Sequence, residues 1–175
     1  SFQYNNLDYM LLGVLIEKIS GMSYQENIER CILEPLGMTA TGFLKYGEYP
    51  DNFAYTYSQR GKQLKQDVLF YIENCFAAGE MYTTTDDLLK LDQALYTDQL
   101  LRKDAKTALE KSNPEYGYAD DGVWNDTYPF VESQPRIMER RGGILGANVV
   151  LVRLLDNNYT IIILSNDNRF DPDSF

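Results

Sequence analysis

Residues 148–164 read Asn148-Val149-Val150-Leu151-Val152-Arg153-Leu154-Leu155-Asp156-Asn157-Asn158-Tyr159-Thr160-Ile161-Ile162-Ile163-Leu164. Two β-branched, apolar runs flank a turn of Asp and Asn residues that tolerate positive φ, so the stretch predicts an antiparallel hairpin. Both arms are almost continuously apolar, which predicts cover on both faces, by helices. Upstream, residues 136–141 predict a short segment leading into Gly142-Gly143, and the aromatic, glycine-containing residues 116–124 predict a strand. The sum is an antiparallel sheet of about three strands. One edge of it would stay open unless another segment or a partner chain pairs with it.

The chain before residue 114 reads differently. Leu7, Leu11, Leu12, Leu15, Ile16 and Ile19 recur at helical spacing, and Gly21 stands where a C-cap glycine belongs. Ser23-Tyr24-Gln25-Glu26 has the form of a capping box, predicting a second helix that Pro35-Leu36-Gly37 ends. Residues 39–76 lack a firm period and predict loop with short strands or turns. Thr83-Thr84-Thr85 before Asp86 and Asp87 predict the N-terminus of a third helix, to about Tyr96. A short fourth helix is expected from Lys103 to Lys111. The fold class is therefore α+β: a mainly helical part over residues 1–113 and an antiparallel sheet over residues 114–175.

At 175 residues the chain suits one domain, or a piece of a larger one. Its net charge of −10 disfavours nucleic acid and anionic membranes, which attract clustered Lys and Arg. No apolar run approaches the ~20 residues that span a bilayer, and no signal peptide is visible. Cys31 and Cys75 stand far apart, outside any Cys-x-x-Cys, and are expected to be free, buried thiols rather than a disulfide. Histidine is absent, which removes Ser-His-Asp and Cys-His catalysis and most zinc sites. Any catalytic base must then be Tyr, Lys, Asp or Glu. Asp167, Asn168, Asp171 and Asp173 lack the glycine and distal Glu of an EF-hand and read as solvated charge. Trp124 and Tyr116–Tyr118 read as core aromatics, with a pocket wall as the alternative.

Four segments, in order, carry a resemblance. They are Phe2-Gln3-Tyr4-Asn5-Asn6-Leu7-Asp8-Tyr9-Met10-Leu11-Leu12-Gly13, Ile32-Leu33-Glu34-Pro35-Leu36-Gly37-Met38-Thr39-Ala40-Thr41, Ala77-Ala78-Gly79-Glu80-Met81-Tyr82-Thr83-Thr84-Thr85-Asp86-Asp87-Leu88, and Arg141-Gly142-Gly143-Ile144-Leu145-Gly146. Together they resemble the class C beta-lactamase and D-alanyl-D-alanine carboxypeptidase group, with its esterase-like members. The first matches that group's Tyr-x-Asn loop, and the last its third motif, usually Lys-Thr-Gly or His-x-Gly. The group's nucleophile lies in Ser-x-x-Lys, and these 175 residues contain no such motif. The resemblance thus implies the C-terminal segment of a serine hydrolase, a beta-lactamase/transpeptidase-like fold lacking its N-terminal portion and not competent alone.

The resemblance also implies roles. Tyr4 matches the tyrosine that moves the proton of the nucleophilic serine; a phenol ordinarily titrates near 10, so this needs a neighbouring cation. Asn6 matches the amide that orients substrate. Arg141 stands at the Lys or His position, where it keeps the charge but is a poor proton carrier, which implies an anion anchor. Glu139 or Glu132 could neutralise it. Gly143 and Ile144 match the substrate-binding strand, with Ile144 N–H as half of an oxyanion hole. From the residues alone, Asn6 could simply cap the helix, and Gly142-Gly143 could be a bulge. The implied substrates are D-alanyl peptides, beta-lactams or small esters, with no cofactor or metal and an extracytoplasmic location. The alternative is a non-catalytic, penicillin-binding-like scaffold.

Overall fold

The structure, a computed structural model, describes residues 2–68 and 70–171. Helix α1 spans Asn6–Ser20. Its N-cap is Asn5, whose side chain accepts the Leu7 N–H at 2.9 Å, so Asn6 is left for another partner. Gly21 closes the helix at φ 71°, as its position foretold. The second helical stretch is continuous in path but not uniform: α2 (Tyr24–Ile28), a π-helical turn (Glu29–Leu33) and α3 (Glu34–Leu36). Ser23 Oγ accepts the Glu26 N–H at 3.2 Å, the capping bond predicted for it.

Residues 42–82 hold a two-residue strand β1 (Gly42–Phe43) and the hairpin β2 (Tyr57–Arg60) and β3 (Gln63–Gln66). A 3-10 helix follows over Ile72–Ala78, then β4 (Met81–Tyr82), which pairs with β1. The 3-10 segment packs on α1 at Gly13, where a Cβ would fall 2.5 Å from the Phe76 ring. Helix α4 (Thr85–Leu95) is capped by Thr84, which accepts the Asp87 N–H at 3.3 Å, and α5 spans Lys103–Leu109.

The sheet is larger than expected. It has five antiparallel strands in sequence order: β5 (Ala119–Asp120), β6 (Val123–Thr127), β7 (Arg136–Ile144), β8 (Ala147–Leu154) and β9 (Tyr159–Ser165). The predicted strand at residues 116–124 divides because Asp121 (φ 45°) and Gly122 (φ 87°) make a tight turn inside it. Gly142 and Gly143 sit in regular register opposite Val149 and Asn148, so they form no bulge. The β8–β9 hairpin is as predicted, with Asn158 at φ 55°.

One helix does most of the covering. Asp92 of α4 accepts from Arg153 Nε of β8 at 2.5 Å and from Thr160 Oγ1 of β9 at 2.8 Å. Arg153 is only 1% exposed and lies 4.4 Å over the Tyr96 ring. Met138, its cross-strand partner, is buried beside it, and Val150 is buried on the opposite face. The expectation of two fully covered faces fails at β9, whose residues 160–165 are all half-buried. Helix α1 likewise leaves Leu7, Leu11, Leu15 and Ile19 exposed, Ile19 by 78%. Both thiols are free, but Cys31 is exposed rather than buried. No described helix is long and apolar enough to cross a membrane.

Candidate active site

The loop before α1 carries the site. Asn5 faces the helix end as its cap, which turns Tyr4 and Asn6 toward each other: Tyr4 OH donates to Asn6 Oδ1 at 2.9 Å. From β7, Arg140 Nη2 donates to Tyr4 OH at 3.2 Å. The Arg140 guanidinium also lies 5.0 Å from the Trp124 ring centroid, 5.2 Å from Tyr9 and 5.5 Å from Tyr4. Three aromatic faces thus hold one cation against the phenol oxygen. Phe2, Tyr4, Tyr9 and Trp124 line a cavity of ≈ 490 Å³, with Asp120 and Asp121 also on its wall. Trp124 is therefore a pocket wall and not a core aromatic, and Tyr116, also in the wall, is exposed.

The dibasic pair divides by strand parity. Successive side chains of β7 alternate between faces, so Glu139 and Arg141 share one and Arg140 takes the other. Arg141 donates through Nε and Nη2 to the two oxygens of Glu139, at 3.2 and 3.1 Å. The cation at Tyr4 is Arg140, and Arg141 meets a carboxylate of its own strand. The anion-anchor expectation fell on Arg141, whereas its neighbour makes the contact with Tyr4. The signal in the sequence for this split is the alternation itself, together with Glu139 two residues before Arg141.

The same parity decides which backbone groups of β7 face outward. Arg136 O accepts the Leu155 N–H on the β8 side, while Pro135 O accepts the Tyr128 N–H on the β6 side. Even-numbered residues of β7 therefore bond toward β8, and odd-numbered ones toward β6. Ile144 pairs with Ala147 and turns its N–H into the hairpin. Gly143 turns its N–H the other way. There β6 pairs with β7 only over residues 136–139, so no described strand lies beside Gly143. Its N–H is presented at an open edge, on the side of the sheet from which Trp124 of β6 meets Arg140. Gly143 lies three residues along β7 from Arg140, the residue that contacts Tyr4, or about 10 Å at ~3.4 Å per residue.

Glu80 lies behind α1, near the 3-10 segment. It is 1% exposed, accepts from Gln25 Nε2 at 3.3 Å, and burial and then the Glu73 charge push its carboxyl up, against the Gln25 bond. Burial and the Glu80 charge also raise the Tyr24 phenol and the Cys75 thiol. Among the described residues no cluster of His, Cys, Asp and Glu could hold a metal ion. Asp167 and Asn168 act locally: Asp167 pairs with Arg169, and Asn168 Oδ1 accepts the Gln59 N–H at 2.8 Å. Asp173 lies outside the described residues.

Comparison with known proteins matches this chain to a family. The family model Beta-lactamase covers residues 1–175. A penicillin-binding protein of Bacillus subtilis (strain 168) is 30% identical over 178 residues, covering 94% of this chain and 40% of that protein. A teichoic acid D-alanine hydrolase of Staphylococcus aureus (strain MRSA252) is 27% identical, over 93% of this chain and 39% of its own. The octameric penicillin-binding protein homologue from Pyrococcus abyssi superposes with a TM-score of 0.85 at 24% identity, over 99% of this chain and 40% of that one. The chain thus spans about 40% of the length of these relatives and forms part of their fold. The chain belongs to the beta-lactamase family.

Proposed function

We propose that these residues form the proton-transfer side of a serine hydrolase that cleaves D-alanyl peptides, beta-lactams or small esters through an acyl-enzyme. The observation that carries the reading is the chain of bonds Arg140–Tyr4–Asn6 beside the open edge of β7. With its own proton released beforehand, Tyr4 takes the hydroxyl proton as a serine oxygen attacks the substrate carbonyl carbon, and passes it to the leaving group as the old bond breaks. Water then attacks the acyl carbon by the reverse route and frees the acid. Asn6 orients the substrate, Arg140 supplies positive charge at the phenol, and Gly143 N–H steadies the developing oxyanion. One such donor contributes on the order of 3 kcal/mol.

The sequence holds no Ser-x-x-Lys, so in this reading the serine and the second oxyanion donor come from outside these 175 residues. Residues 1–113 and 114–175 then act as two parts of one catalytic unit, and the chain alone is inactive. The D-alanine hydrolase and penicillin-binding relatives support D-alanyl substrates and an extracytoplasmic location. The competing reading, a non-catalytic ligand-binding scaffold, draws on an arginine standing at Tyr4, since guanidinium does not readily exchange a proton.

The test is steady-state hydrolysis of a p-nitrophenyl ester by the full-length protein. Tyr4→Phe and Arg140→Met should each lower kcat about 100-fold or more, in the range of general acid–base effects, while Arg141→Met costs under about tenfold. A larger loss for Arg141→Met than for Arg140→Met would overturn the assignment. No turnover and no labelling by a penicillin would favour the scaffold.

A further inference from the structure

The β7–β8 turn is held from outside the sheet by a single buried carboxylate. Asp67, just after β3, is 6% exposed. Its Oδ2 accepts the Gly146 N–H at 2.9 Å and the Thr56 hydroxyl at 2.9 Å, and its own N–H donates to Thr56 O at 2.9 Å. Bonds from Ser58, then Thr56 and the Gly146 N–H, with the Arg60 charge, hold its carboxyl below the usual range against the effect of burial. At Gly146 the turn presses backbone to backbone on β2: a Cβ there would fall 2.2 Å from Tyr57 O.

The turn needs this support. Leu145 sits at φ 53°, a region that leucine enters only when its surroundings over-determine it. The only ladder pair between the turn and Gly143 is Ile144 with Ala147. The β2–β3 hairpin that carries the strut is itself fixed: Tyr57 N donates to Asn166 O at 2.8 Å, and Asn168 N to Tyr57 O at 3.1 Å. A rigid path therefore runs from the end of β9 through β2 and Asp67 to Gly146, and so to the strand end bearing the Gly143 N–H.

We propose that Asp67 is a positioning residue for catalysis, holding the β7–β8 turn so that the Gly143 N–H keeps its aim. The inference rests on the oxyanion role given to Gly143 above. Displacements of about 1 Å at such a donor cost up to ~100-fold in rate. A loosened turn therefore lowers kcat and leaves ground-state binding almost intact.

The experiment uses the full-length protein and compares Asp67→Ala, Asp67→Asn and Thr84→Ala. The last removes the cap of α4 and serves as a control for stability lost elsewhere. Ester hydrolysis and amide hydrogen exchange at Gly146 are read side by side. Asp67→Ala should lower kcat at least about tenfold with KM changed less than about threefold, and speed Gly146 exchange at least about tenfold. Asp67→Asn, which keeps an acceptor in place, should restore most of both, and Thr84→Ala should disturb neither. Unchanged Gly146 exchange or unchanged kcat in Asp67→Ala overturns the proposal, as does an equal kcat loss in Thr84→Ala. A wild-type protein that turns over no ester sinks the oxyanion reading instead, a distinct result.

Discussion

Glu80 shows how one residue can work against the fold that holds it. Its carboxylate is buried with Gln25 as its hydrogen-bond partner and with Glu73 near enough to repel it, so its folded pKa lies above the ordinary value. A raised acid contributes stability that is fully present below the unfolded pKa and is lost as pH rises through the folded one. Glu80→Gln should therefore raise the melting temperature at pH 7–8, and the gain should vanish near pH 4. A thermal melt of both proteins across that range checks it. Asp67, Asp87, Asp156 and Asp167 act in the opposite sense. For Asp87 burial raises the value, but Lys90, the Thr41 hydroxyl and the Ala40 N–H outweigh it. For Asp156 the Arg136 N–H and guanidinium lower it, and for Asp167 Arg169 does so. Their contribution is present above the ordinary carboxylate range and is lost as pH falls through their depressed values.

Among the elements, α4 and the β8–β9 hairpin depend on one buried ion pair. Removing one partner of such a pair leaves an uncompensated charge and costs about 3–5 kcal/mol. Asp92→Ala should therefore destabilise by about that much in a urea titration, since it strands Arg153 and frees Thr160 together. A loss under ~1 kcal/mol would mean that Arg153 finds water or another acceptor. The helix ends and this hairpin were legible because their signals are local: Ser23 with Glu26, Gly21, Thr84, and the Asn158 turn. The five-stranded extent was not. β6 reads Val-Trp-Asn-Asp-Thr, without apolar alternation, and its buried Asn125 donates through Nδ2 to the Leu109 and Lys111 carbonyls, 14 and more residues away. Long-range partners of that kind leave no trace in a short window of sequence.

For the molecule as a whole, the order of four motifs made the family legible, and Tyr4 with Asn6 was found as a bonded pair. The choice between Arg140 and Arg141, and between Gly143 and Ile144, was not legible from motif spacing, because a one-residue slip along a strand reverses every face. Tertiary contacts set Arg140 against Tyr4, and the β7–β8 pairing turns the Ile144 N–H into the hairpin. Among the described residues the Leu7, Leu11, Leu15 and Ile19 stripe of α1 is apolar and exposed, and the residues of β9 are only partly covered. The Bacillus subtilis and Pyrococcus abyssi relatives are more than twice this length, and in the proposed reading both surfaces are suited to contact the remainder of such a fold. The account's central claim is that this chain carries the tyrosine side of a site whose serine lies elsewhere. Labelling with a fluorescent penicillin tests it most directly, using the full-length protein, its Tyr4→Phe variant and the 175-residue chain. The account predicts a covalently labelled full-length protein, labelling slowed about 100-fold or more in Tyr4→Phe, and none of the short chain. Covalent labelling of the short chain by itself would contradict it.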